Sequence, residues 1–400
     1  MKILLVNDIG RPTGGAEFQM LALKRGLQER GHEVRLFSSR ASLVEGELVA
    51  DYSCFGSNSK LQVLSQTANI DAYWQLRCIL SEFQPDVVHV RMFMWQLSPL
   101  ILPLLKDIPC LYQTAVYKAI CPAGTKVLPD GSECKYDVGI ACLKNGCLTP
   151  QTWAVLMLQY RLWQQWRSAF DVVVALSNGM KAQLETAGIE SVEVVYNGVP
   201  VRPMRPNLSE PPTVVYAGRL VSEKGIDVLL KAFAEVLSKV PQAKLLIAGD
   251  GVEQANLQAL SNDLGIVKSV QWLGYLPQSE MERQFNNAWV QVVPSLWAEP
   301  FGNVTTEAMM RGTAVIAAAV GAQPEIVADG ETGFLVSPGD IEALALKLTQ
   351  LLENSSLAEQ MGRAGRDRAL TEFSEDKRND RFLEIYRRLQ AKYKSKTSVI

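Results

Sequence analysis

The chain has 400 residues, more than one hydrophobic core usually supports, so two domains are expected. Hydrophobic residues make up 48% and charged residues 20%, with a formal net charge of −2, which describes a globular protein and offers no basic footprint for nucleic acid. No apolar run reaches the roughly 18 residues a membrane span needs, because "LSPLILPLL" is broken by Pro99 and Pro103.

The opening "MKILLVNDIG" has a short apolar core ended by Asn7 and Asp8, too short for a signal peptide, and reads as a first β-strand. Without an export signal the seven cysteines are expected to be reduced, and the location cytoplasmic. A helix is expected from about Gly15 to Arg30, followed by the strand "EVRLFS". "PDVVHV", "PCLYQT", "DVVVALS" and "VEVVYN" complete a first series of strands. "TVVYAG", "AKLLIAGD", "SVQWLG", "VQVVPS", "AVIAAA" and "GFLVS" form a second. Nearly continuous apolar strands separated by helices mark parallel sheets covered on both faces. Between the series, the proline-dense "YNGVPVRPMRPNLSEPP" reads as a linker around residues 197 to 212. The expected fold is α/β, two doubly wound Rossmann-like domains facing across a cleft, with ligands taken beyond the carboxyl ends of the strands. The terminal "SEDKRNDRFLEIYRRLQAKYK" reads as a helix with Phe382, Ile385 and Leu389 on one face. Its basic side is either a solvated face or a membrane-surface contact.

Two loops carry candidate chemistry. "YAGRLVSEKGIDVLLKAF" sets Arg219 just past a strand, with Ser222 as a plausible N-cap and Lys224 in the first turn of the next helix. A cation there opposes the macrodipole, a cost that a bound anion would reverse. In "WAEPFGNVTTEAMMRG", Glu299 lies in a Pro/Gly-broken loop and Glu307 one turn into a helix from about Asn303 to Arg311. Carboxylates accept paired hydrogen bonds from vicinal diols. The amides around Gly302, Asn303, Val304 and Thr305 suit a phosphate. One acid on a ribose and the other on a hexose would lay a nucleotide-sugar across that helix N-terminus. Glu307 taken alone is equally a helix-stabilising first-turn acid.

"GRLVSEKG", "EPFGNVTTE", "GGAEFQMLALKRGLQERGHEV", "VVYNGV" and "GETGFLVSPGD" together resemble the retaining GT-B-fold glycosyltransferases of family 4. The resemblance covers almost the whole chain. It implies an acceptor-side domain at residues 1–198 with a cysteine-bearing insertion at 115–150, and a nucleotide-sugar-binding domain at 199–375. A helix at 376–400 would cross back to the first domain. It further implies that Arg219 and Lys224 hold the donor diphosphate, Glu299 contacts the transferred sugar and Glu307 the ribose, with Gly14 and Gly15 closing over the phosphates. The donor is then a nucleoside-diphosphate sugar and the acceptor a glycan or lipid-linked glycan. No catalytic cofactor is expected: there is no Asp-x-Asp at a strand end, and two cations plus helix amides can hold the developing charge.

One departure from the family pattern stands out. Members with such an insertion usually carry a His-Asp pair about six residues before its first cysteine, where this chain has Ala115 and Val116. Gln113, Thr114 and Tyr117 are the nearby polar groups, and Tyr117 joins His89 as a candidate for acceptor contact, core packing being the other reading of His89. In the insertion, Cys121, Cys134, Cys142 and Cys147 are candidate ligands of a structural zinc, or else disulfide-capable or merely packed thiols, since no Cys-x-x-Cys pair is present. The following "TWAVLMLQYRLWQQWRSAF" places Trp153, Leu156, Tyr160 and Trp163 at helical spacing, a core stripe or a peripheral membrane contact. Two rival functions remain on this reading: a sugar-nucleotide epimerase, and a non-catalytic nucleotide-sugar-binding homologue. A nicotinamide dehydrogenase is disfavoured, because "GRPTGGAE" lacks the Gly-x-Gly-x-x-Gly spacing.

Overall fold

A computed structural model describes residues 1–41, 47–59 and 62–397; residues 398–400 of the expected tail lie outside it. The chain divides into two units, Met1–Gly198 with Glu375–Ile400, and Val199–Ser374.

The first unit is a parallel sheet of β1 (Lys2–Ile9), β2 (Glu33–Ser39), β3 (Tyr52–Cys54), β4 (Val87–Val90), β5 (Cys110–Gln113), β6 (Val172–Ala175) and β7 (Val192–Val194). Their order is β3-β2-β1-β4-β5-β6-β7. The second unit has β8 (Thr213–Ala217), β9 (Lys244–Ala248), β10 (Val270–Gly274), β11 (Val290–Val293), β12 (Ala314–Ala318) and β13 (Gly333–Val336), ordered β10-β9-β8-β11-β12-β13. Such sheets are buried on both faces, which is why their strands read as unbroken apolar runs. Ile3, Leu4, Leu5 and Val6 are all fully buried.

In each sheet the winding direction reverses beside the first strand, between β1 and β4 and between β8 and β11. Loops leaving the carboxyl ends of strands diverge at such a switch point and leave a crevice there. The loops carrying Arg219, Lys224 and Glu299 are those that follow β8 and β11.

The helix Glu375–Thr397 belongs to the first unit. Phe382, Ile385, Tyr386 and Leu389 pack with Ile3, Leu5, Met20 and Leu23, each such burial contributing about 1.5–3 kcal/mol. Its basic side is drawn into ion pairs: Arg388 with Glu193, Lys392 with Asp171 at 3.2 Å. Arg378 turns inward and donates to Gln19 Oε1 at 2.7 Å.

Two local expectations fail. The strand β3 escapes notice because it is three residues long and half polar. The proline-dense stretch is not a free tether beyond Gly198. Arg205 is buried and its Nε donates to Gly312 O at 3.0 Å, its amide to Arg311 O at 2.9 Å, satisfying carbonyls at the end of the helix Asn303–Arg311.

Candidate active site

In the second unit, β8 runs out through Gly218 and Arg219 into a 3-10 turn, Ser222–Lys224, closed by Gly225 in the left-handed region at φ 65°. Ser222 therefore caps no helix; its carbonyl accepts from the Gly225 amide at 3.1 Å. Lys224 precedes the helix Ile226–Leu237 rather than lying in its first turn. The sequence "SEKG" ends a turn because Gly225 has room for nothing more: a Cβ there would sit 2.2 Å from Pro294 O. That close approach, with Leu296 N donating to Glu223 O at 2.9 Å, zips the β8 loop to the β11 loop.

The zip brings Lys224 and Glu299 together. Lys224 Nζ lies 2.7 Å from Glu299 Oε1, with side chains only 17% and 11% exposed. Ser295 Oγ donates to the same carboxylate oxygen. The Lys224 ammonium also lies 5.7 Å from the centre of the Trp297 ring. Glu299 is held from behind as well: Ala322 N donates to Glu299 O at 3.2 Å, and Gly321, at φ 61°, leaves no space for a Cβ, which would meet Glu299 N at 2.5 Å.

Arg219 stands apart from this pair. Its guanidinium is 68% exposed and lies 3.7 Å from Glu223. Glu307 is half-buried in the helix Asn303–Arg311, and Gln278 Nε2 donates to it at 3.4 Å. Burial pushes its carboxyl pKa up, opposed by the charges of Arg311 and Arg202. The helix that carries it begins at Gly302, which has no side chain to cap the first amides. Thr305 at its start is fully buried and donates to Gln323 Oε1 at 2.9 Å. The Gln323 amide nitrogen is buried without a partner and lies 2.5 Å from where a Gly302 Cβ would stand. Ser295, Trp297, Gly321 and Gln323 were not singled out from sequence; only the positive-φ glycine offered a local signal. Arg219, Lys224, Glu299 and Glu307 thus all lie on loops or helix starts at strand carboxyl ends, but only Lys224 and Glu299 touch.

In the first unit, Gly14 is extended and Gly15 opens the helix Gly15–Glu29. A Cβ on Gly14 would meet Glu17 Oε2 at 3.1 Å. Burial raises the Glu17 carboxyl, while the nearby Arg91 charge lowers it. Asp8, at the end of β1, accepts the amides of Trp95, Gln96 and Leu97 at 2.9, 2.8 and 2.9 Å. Burial still lifts its pKa to about 6.

The two acceptor candidates are corrected by their surroundings. His89 is fully buried, with Nδ1 2.6 Å from the Tyr386 hydroxyl and Nε2 3.1 Å from Gln113 Oε1. Gln113 Oε1 also accepts from Arg91 at 2.7 Å, so the imidazole proton belongs on Nε2 and Tyr386 donates to Nδ1. Burial pushes its pKa down to about 3. His89 is therefore a neutral core group tying β4 to the terminal helix, which is the packing reading. Tyr117 is 1% exposed and begins a buried 3-10 turn, Tyr117–Ala119. Thr114 is consumed as well, its hydroxyl donating to Val174 O at 3.0 Å. Of the aromatic stripe, Trp163 and Leu156 are core, whereas Tyr160 and Trp153 are half-buried. Trp153 Nε1 donates to Gly139 O at 2.8 Å. Among the described residues, no helix is long and apolar enough to cross a membrane.

Residues 203–368 match the family model described as glycosyl transferases group 1, and residues 14–198 the glycosyl transferase 4-like domain. One curated relative is the GDP-mannose-dependent alpha-(1-6)-phosphatidylinositol monomannoside mannosyltransferase of Mycolicibacterium smegmatis. It is 34% identical over 187 residues, 45% of this chain and 49% of that protein. The chain spans about half the length of the curated relatives it matches. Among solved structures, a sucrose-phosphate synthase from Thermosynechococcus elongatus aligns with a TM-score of 0.71 at 22% identity, covering 98% of this chain and 99% of that one. The Anabaena protein HepE in complex with UDP-glucose aligns at a TM-score of 0.68 and 20% identity, covering 96% and 98%. Two matched segments that leave out little more than the ends, on two Rossmann-like sheets, place the chain among the group 1 glycosyltransferases of GT-B fold.

Proposed function

We propose that the protein transfers a sugar, with retention of anomeric configuration, from a nucleoside-diphosphate sugar to a glycan or lipid-linked glycan. The observation that carries this reading is the Lys224–Glu299 pair at the β8/β11 switch point, beside a helix start that Gly302 leaves uncapped. An arriving diphosphate takes the Lys224 ammonium and the exposed Arg219, and draws on the helix amides. Glu299, released from Lys224 but still positioned by Ser295 and Gly321, accepts a hydroxyl of the sugar. Glu307 accepts from the ribose. As the glycosidic bond breaks, negative charge grows on the departing diphosphate, and a fixed cation about 4 Å away is worth about 4 kcal/mol at an effective dielectric near 20. These side chains hold that charge without a metal ion. The relatives' names pair GDP-mannose with one protein and UDP-glucose with another, so a nucleotide-sugar donor is supported at the level of class.

A second reading has its own observation. The position where the family carries its histidine is Ala115, and the neighbouring Gln113, Thr114 and Tyr117 are all buried. A homologue that binds donor but does not transfer it fits that gap.

The test is a mass balance by NMR over a panel of UDP- and GDP-sugars, with and without glycan and lipid-linked acceptors. Transfer gives a new glycoside with the donor's anomeric configuration and free nucleoside diphosphate. Inversion of configuration overturns the retaining assignment. Conversion of donor alone to an isomer identifies an epimerase. Binding without consumption of donor identifies the non-catalytic homologue.

A further inference from the structure

Residues 125–150 have no core of their own, for not one of them is buried. A hairpin closes through Leu128 N to Ser132 O at 2.8 Å and Cys134 N to Lys126 O at 2.9 Å. A short helix, Ile140–Lys144, follows, and Leu148 N donates back to Cys142 O at 3.1 Å, returning Cys147 to the side of Cys142. Cys121 leaves the buried 3-10 turn, its amide donating to Tyr117 O at 2.8 Å. Four cysteines on separate pieces of backbone thereby line one small cavity, together with apolar atoms of Val127 and Leu128. Its room is about 20 Å³, which holds a single water-sized occupant. All four are free thiols.

A segment this size with no buried side chain lacks the hydrophobic stabilisation that ordered chain requires, and small modules of that kind are held by disulfides or a metal. We propose that Cys121, Cys134, Cys142 and Cys147 bind one structural zinc ion as a tetrahedral tetrathiolate. The single-ion cavity favours this over an iron–sulfur cluster, and four soft sulfurs with no nitrogen or oxygen ligand favour zinc over magnesium or calcium. Among the described residues no group of three or more His, Cys, Asp or Glu side chains is placed to hold a metal ion as it stands, so zinc binding requires the four sulfurs to contract onto the ion, to Zn–S distances of about 2.3 Å. Binding is a ligand exchange without redox change: four thiols lose their protons to solvent, and four zinc–sulfur bonds replace zinc–water bonds. The ion stabilises the insertion and takes no part in sugar transfer.

The experiment uses the full-length chain, purified under reducing conditions from zinc-supplemented medium. Elemental analysis is expected to give about one zinc per chain. Replacement by cobalt(II) should produce the intense near-ultraviolet thiolate charge-transfer band and visible bands of a tetrahedral tetrathiolate. A Cys134→Ser/Cys142→Ser variant, with its overall helicity checked by circular dichroism, should weaken binding by about tenfold or more. Should that variant not fold, limited proteolysis of the unsubstituted protein decides: zinc removal must expose cleavage within 125–150 while the two sheets stay intact. Zinc-free protein whose insertion resists protease, cobalt spectra without thiolate bands, equal zinc in the double variant, or disulfides among the four cysteines would each overturn the assignment.

Discussion

Replacing Lys224 with alanine tests the chemistry most sharply. Lys224 Nζ rests 2.7 Å from Glu299 Oε1, both side chains largely covered, so the pair is pre-positioned but mutually neutralised. On the proposed function, a donor diphosphate, which carries more charge than one carboxylate, takes the ammonium from it. At about 4 Å and an effective dielectric near 20, the attraction is about 4 kcal/mol, or roughly three decades of rate where it is realised only as the glycosidic bond breaks. Lys224→Ala should therefore lower kcat/KM by about three decades, and the division between kcat and KM reports how much of the attraction is already present with bound donor. Lys224→Arg should fall between, because the charge remains while the planar fork does not reproduce a point cation. Loss of the pair costs the fold about 1–3 kcal/mol, so circular dichroism and melting accompany the assay of nucleoside diphosphate release. A folded Lys224→Ala enzyme within about threefold of the unsubstituted protein would refute this assignment.

Three further outcomes are expected. Gly321→Ala forces a Cβ to within 2.5 Å of Glu299 N from a left-handed backbone, so it should destabilise the second unit by more than about 2 kcal/mol and weaken donor binding; an unchanged melting temperature would contradict the packing. Glu307→Gln removes a charged acceptor and should weaken nucleoside-diphosphate binding by about tenfold or more, read by calorimetry; equal affinity would leave Glu307 as a helix-stabilising acid. His89 has its pKa lowered to about 3 in the folded chain, against an ordinary value of 6.5. The unfolded state alone takes its proton, so its stabilising contribution is full above about pH 6.5 and is lost as pH falls from there toward 3. The stability advantage over His89→Gln should shrink by about 2 kcal/mol between pH 7.5 and 5, a difference in which the opposite trend from Asp8 cancels; a constant advantage would mean that His89 titrates normally.

What could be read from sequence follows the range of the interactions involved. The strands stand out because burial on both faces leaves runs such as "DVVVALS" without alternation. The helix Asn303–Arg311 is bounded by Gly302 and Gly312, local signals both. Lys224 precedes its helix instead of lying in the first turn, because the left-handed Gly225 that ends the 3-10 turn must clear Pro294, a residue of another strand's exit. His89 could be assigned to neither core nor site until Tyr386, 297 positions away, supplied its partner. For the same reason Ser295 and Gln323 went unnoticed: a serine beside a proline and a glutamine before one carry no mark of the carboxylate or helix start they serve. The four cysteines were visible, but their wide spacing concealed that one cavity collects them.

On the proposed function a donor diphosphate displaces Glu299 from Lys224, a step that isothermal titration of the full-length protein measures before any chemistry. Across a panel of nucleotide-sugars, at least one is predicted to bind the unsubstituted protein, and to bind Lys224→Ala at least about tenfold more weakly. Equal affinity of the two proteins for every nucleotide-sugar tried, or no binding by either, would contradict it.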